Sequence, residues 1–137
     1  METTIPTSGP SQQATQPVIA VLFLWKRSDL TFEQFKAHYE NVHMPLIQSL
    51  AGEDFPLSHV RRYVTDSNVL FGTKADFPYD AMLEITFTDS THFARFSAIV
   101  SEGEAKRLRE EDEARFVDMT KMTGIWGLDE RITRGSG

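Results

Sequence analysis

The sequence predicts an α+β domain, an antiparallel sheet with helices on one face. Three observations carry this: an apolar run over Val18 to Trp25, a capped amphipathic stretch from Phe32, and a strand, strand, helix, strand order after it. With 137 residues the chain suits one domain with a real core.

Val18 to Trp25, VIAVLFLW, is the expected first strand. It does not alternate, so both faces must be covered. Thr31 then provides a helix N-cap, and Gln34 three residues on completes a capping-box pattern. Phe35, Tyr39, Val42, Leu46 and Leu50 follow as the expected buried stripe of a helix running to about Leu50, where Ala51-Gly52 stops it. Pro45 removes a helical N–H and crowds the carbonyl four residues back, so a distortion is expected near His43.

His59 to Thr65 is the second strand, with His59, Arg61 and Tyr63 on one face and Val60, Arg62 and Val64 on the other. Adjacent arginines suit a sheet edge. Asp66 to Asp80 is a long loop whose apolar residues are expected to pack onto something. In the third strand, Ala81 to Thr88, Leu83, Ile85 and Phe87 oppose Met82, Glu84 and Thr86. Asp89 or Ser90 caps the next helix, with Phe93, Phe96 and Val100 inward. Ser101 to Asp118 reads as a mostly solvated helix with Ala105, Leu108 and Phe116 as a weak inner face, and His92 reads as surface. Met119 to Leu128 is the last strand.

The resulting order is that of a ferredoxin-like βαββαβ unit. Its domain is expected over residues 17–129, after a disordered leader over 1–16 and before a flexible tail over 130–137. Helices cover one face of such a sheet, and a homodimer packing two second faces together would cover the other.

Net charge is −6, which argues against nucleic acid and against anionic membrane surfaces. There is no cysteine, so thiolate metal sites and cysteine nucleophiles are excluded. No H-E-x-x-H, G-x-G-x-x-G, Walker or G-x-S-x-G pattern occurs. The expectation is a cytoplasmic protein with no cofactor and no metal; a haem would need only one histidine, and a visible spectrum checks it.

Several segments together resemble the EthD family. They are Trp25-Lys26-Arg27 at a strand end, Leu30-Thr31-Phe32-Glu33-Gln34-Phe35, then Tyr39-Glu40-Asn41-Val42-His43-Met44-Pro45-Leu46 with its His-x-Pro, and Val60-Arg61-Arg62-Tyr63. The resemblance spans about Pro17 to Leu128. It implies a dimeric α+β barrel. It also implies, less specifically, a cofactor-free decarboxylase, dehydratase or cyclase acting on polyketides, or a cofactor-free monooxygenase.

Imidazole both takes and gives protons near neutrality, so His43 is the leading acid–base candidate; otherwise it is a histidine that hydrogen-bonds at the helix distortion. Glu84 and His59 are the further catalytic candidates. A carboxylate among apolar neighbours gains a raised pKa if buried, but a surface Glu on a half-exposed strand is commoner. Candidate substrate-binding residues are Trp25, Lys26, His38, Tyr39, Arg61, Tyr63, Phe87 and Trp126. The expected function is a small lyase acting on a hydrophobic aromatic or polyketide-like molecule of secondary metabolism. The other reading is a non-catalytic binding protein on the same fold. A pocket shared by His43 and a second polar group would favour catalysis; an apolar pocket without it would favour binding.

Overall fold

The computed structural model describes residues 16–137. The expected leader, but for Gln16, lies outside the described residues. Four strands form one sheet: β1 (Val18–Leu24), β2 (Ser58–Tyr63), β3 (Ala81–Phe87) and β4 (Thr123–Trp126). Their spatial order is β2-β3-β1-β4, every neighbouring pair antiparallel. This is the ferredoxin-like arrangement expected from the element order, and β2 is indeed an edge.

The register fixes the two faces. One row runs His59–Ile85–Ala20–Trp126 and the next runs Arg61–Leu83–Leu22–Gly124. Both lie on the helix-covered face, where Val18, Ala20, Leu24, Leu83, Ile85 and Phe87 are buried. The opposite face carries the row Val60–Glu84–Val21–Ile125, so Ile125, and not Trp126, points away from the helices.

The first helical segment differs from the expected single helix in an informative way. Helix α1 (Phe32–His38) has the capping box of Thr31 and Gln34. It passes into a five-residue π-helical turn, Tyr39–His43, and then into α2 (Met44–Ala51). In this turn the Met44 N–H reaches back five residues to the Tyr39 carbonyl. One extra residue is thereby absorbed, and the buried stripe continues through His43, Ile47 and Ala51. The expected Val42 is 45% exposed. The distortion expected from Pro45 is real, and its form is this turn. Gly52, with φ 55°, closes α2.

Helix α3 (Ser90–Val100) is capped by Asp89 and buries Phe93, Phe96 and Val100. His92 is buried, contrary to expectation, because its ring bridges the Thr88 N–H (3.1 Å) and the Asp54 carbonyl (3.0 Å). Helix α4 (Gly103–Phe116) is not simply a solvated helix: it buries Arg109 and Asp112 beside Phe116. Its end is tied to the end of β1 by Arg27 N–H to Phe116 O (2.9 Å) and Asp118 N–H to Trp25 O (2.7 Å). From the long loop, Tyr79 packs on Phe23 at 4.7 Å, whereas Leu70 and Phe71 are 83% and 82% exposed. Among the described residues no helix is long and apolar enough to cross a membrane.

Candidate functional site

The π-turn and α4 meet at Asp112. One carboxylate oxygen lies 2.9 Å from His43 Nδ1, the other 3.0 Å from His38 Nε2. Asp112 is 2% exposed and His43 is 7% exposed. Burial pushes the Asp112 carboxyl up, but the hydrogen bonds from His43 and His38 outweigh it and hold it below the ordinary carboxylate range. An ionised carboxylate only accepts, so both rings donate to it. His43 therefore carries its proton on Nδ1, and in the neutral ring the lone pair stands on Nε2. Phe116 packs on His43 at 5.0 Å and on His38 at 4.7 Å, and Tyr39 meets His43 edge-on at 5.5 Å.

The inner face of β2 supplies a second group. The Arg61 guanidinium forks onto Glu40 through Nε (2.6 Å) and Nη2 (3.0 Å), and the Tyr63 hydroxyl donates to the same carboxylate. That bond from Arg61 holds Glu40 low. Arg61 Nη1 also reaches the His59 carbonyl (2.8 Å) and Nδ1 (3.3 Å). Burial, then the Arg61 cation and His43, push His59 down to about 4. It is neutral near pH 7, accepts at Nδ1, and presents its Nε2 proton toward the buried Tyr39 hydroxyl at 3.5 Å. Burial raises both the Tyr39 and the Tyr63 phenols.

Beside these groups a cavity of about 320 Å³ opens between the sheet and α3–α4. Ala20, Ile85 and Trp126 from the His59 row lie on its floor, with Phe87, Phe93 and Phe96 around it. Trp126 stacks on Phe93 at 4.3 Å. Arg109 and Glu113, 2.8 Å apart, bring charge to its wall. Burial pushes the Glu113 carboxyl up, and Arg109 opposes the shift. His43 is not among the lining residues. Consecutive residues of an α-helix point about 100° apart, so α4 offers Asp112 to His43 and Glu113 to the cavity. A second cavity, of about 770 Å³, lies on the open face between Ile19, Val21 and Glu84 and the segment 127–131.

The EthD domain is recognised over residues 27–120, more than half of the chain. The chain belongs to the EthD family. Among solved structures this EthD protein resembles an ethyl tert-butyl ether D (EthD) family protein of Bacillus halodurans, at 17% identity and TM-score 0.54, covering 82% of this chain and 99% of that one. It also resembles an EthD-like protein of Ralstonia eutropha (16%, TM-score 0.55, 88% and 97% covered). A third is a "dabb" family protein with a ferredoxin-like fold from Mesorhizobium loti (9%, TM-score 0.51, 84% and 98% covered). No curated protein matches the sequence. These likenesses speak for the fold, and a shared fold does not select a reaction.

Within the EthD domain, His38, Tyr39, His43, His59, Arg61 and Tyr63 are brought together. Phe87 and Trp126 line the cavity. Three expected residues stand elsewhere. Glu84 is on the open face, 3.2 Å from Arg62, because the register of β3 sends it there, so it does not pair with His43. Trp25 packs edge-on to Tyr79 at 6.0 Å, outside the cavity. Lys26 lies at the strand end, its backbone N–H on Asp80 (2.8 Å). Sequence reasoning missed Arg109, Asp112 and Glu113. Their signal was present: Ala105, Arg109, Asp112 and Phe116 follow helical stripe spacing, so the stripe that buries Phe116 takes charged residues inward with it. Among the described residues no cluster of three or more His, Asp or Glu side chains has metal-holding geometry.

Proposed function

We propose that this EthD protein is a small cofactor-independent enzyme that holds a hydrophobic aromatic or polyketide-like molecule in the cavity and moves a proton with His43. The reaction would be of lyase type: a decarboxylation, dehydration or cyclisation. The observation that carries the reading is the buried Asp112 carboxylate on His43 Nδ1. A buried acceptor fixes the tautomer and orientation of an imidazole and stabilises its protonated form, which is what a general acid–base needs. His59, neutral beside Arg61, has its Nε2 proton on a long 3.5 Å contact with Tyr39 and would turn it to an enolate-like oxygen in that contact's place. Conjugation already delocalises the carbanion of such a substrate, so a positioned base and a few donors suffice.

A second reading is a binding protein on the same fold, favoured by one observation: His43 does not line the cavity. The discriminating experiment is turnover of a panel of aromatic β-keto acids, followed by carbon dioxide release and mass spectrometry. His43→Ala should abolish turnover with the oligomer unchanged in size-exclusion chromatography. Retained turnover removes His43 from the mechanism, and binding of the panel without turnover by the wild type favours the carrier.

We also propose a homodimer packed through the open sheet face. Val21, Phe23, Val60, Met82 and Ile125 present an apolar surface there that the molecule's own helices cannot reach.

A further inference from the structure

We propose that Glu113 is the residue that reads the ligand in the cavity, accepting a hydrogen bond from an uncharged, hydroxyl-bearing aromatic molecule of phenol type. This rests on the reading of the cavity as the small-molecule site and adds the class of molecule it takes.

The apolar wall sets the shape. Phe93 and Trp126 stack nearly parallel, with 23° between their planes, and make one flat side. A volume of about 320 Å³ falls at the small end of sites for small molecules, and suits a molecule of one or two fused rings.

The polar wall sets the chemistry. Arg109 is anchored by its Nε on the Val100 carbonyl (2.8 Å) and by Nη1 on Glu113 Oε1 (2.8 Å). The two side chains are 4% and 13% exposed. Arg109 holds Glu113 through Oε1, and the carboxylate lines the cavity. An ionised carboxylate has acceptors only, so what completes it must donate. Burial raises the Glu113 carboxyl, so a donor from the ligand would offset the cost of keeping it ionised there. The Arg109–Glu113 pair has no net charge. An anionic ligand would bring its charge against that of Glu113 where little water screens the two, and would be disfavoured. A phenol supplies the donor without the charge.

The test is isothermal titration calorimetry of the full chain with 2-naphthol and 2-naphthoate near neutral pH, where the first is uncharged and the second ionised. The wild type should bind the naphthol more tightly by about tenfold or more, the scale of one buried charge-assisted hydrogen bond. Glu113→Gln removes the negative charge that disfavours the anion, so the preference should shrink. An equal or opposite preference in the wild type overturns the proposal, as does an unchanged preference in a folded Glu113→Gln protein or binding of neither probe. If circular dichroism shows that variant unfolded, the wild-type comparison decides alone. Loss of turnover in His43→Ala with no role for Glu113 sinks this inference and keeps the acid–base reading; the reverse pattern does the opposite.

Discussion

Asp112 accepts from two histidines at once, and this gives it consequences that a surface carboxylate would lack. In Asp112→Asn the amide has one acceptor oxygen, and its NH₂ must face one of the two ring N–H groups. Stability should fall by about 1–3 kcal/mol in urea titrations, the cost of losing a hydrogen bond to a buried charge. If His43 is the base, turnover should fall by about 10²–10⁴, because its proton is no longer held on Nδ1. A stability loss with full turnover would make Asp112 a structural clamp only. His59 gives a pH signature. Its folded pKa of about 4 lies below the unfolded value of about 6.5, so the unfolded chain binds more protons between them. Stability should therefore fall as pH drops through that window, by at most about 3 kcal/mol. Asp112, also depressed, adds its loss at lower pH; Glu113, raised, works in the opposite sense. His59→Gln should flatten the slope between pH 6.5 and 4, and an unchanged slope would mean that His59 is not the group responsible.

At the scale of elements, the π-turn decides which residues of the first helix are buried. A regular helix from Phe32 would bury Val42, Leu46 and Leu50; the extra residue turns His43, Ile47 and Ala51 inward instead. Deleting the exposed Asn41 removes that residue, so the same side chains fall on an ordinary 3.6-residue stripe. The deletion protein should fold, with a urea midpoint near the wild type, while the rearranged Tyr39–His43 step lowers turnover. Failure to fold would show that the turn is needed for packing and not only for placing His43. Much of this level was legible in the sequence. The capping box, the distortion before Pro45, the inward Leu83, Ile85 and Phe87, and the edge position of Arg61 and Arg62 all follow from local rules. The direction of the one-residue shift was not, because Val42 and His43 compete for one stripe and only packing against Phe116 decides. The charged inner face of α4 was written only in the stripe spacing of Ala105, Arg109, Asp112 and Phe116, which residue type argues against. Charge normally marks the solvated side, and Arg109 and Asp112 go inward to partners that include Val100, Glu113, His38 and His43, on neighbouring turns and elements.

At the scale of the molecule, the helices cover one face of the sheet and leave the other to the segment 127–131 and, in the proposed dimer, to a second copy. Strand β1 is apolar on both faces, which a monomer with a wet second face would not require. Val21 stands at the middle of that face, beside Glu84 on β3 and Ile125 on β4. In a monomer Val21→Lys would be mild, since the ammonium would reach water and sit near the Glu84 carboxylate. In a dimer packed through this face the same lysine would be buried against apolar side chains of the second copy, a cost of several kcal/mol if it stays charged. The wild type should thus elute as a dimer in size-exclusion chromatography with light scattering, and Val21→Lys as a folded monomer with unchanged far-UV circular dichroism. A monomeric wild type would sink the proposal outright. A dimeric Val21→Lys protein would place the interface on another surface, for instance around the exposed Leu70 and Phe71. The cavity and the Asp112–His43 pair lie on the helix side, so the lysine variant should keep naphthol binding even as the dimer is lost; the two faces of one sheet would then serve separate purposes, assembly on one and chemistry on the other.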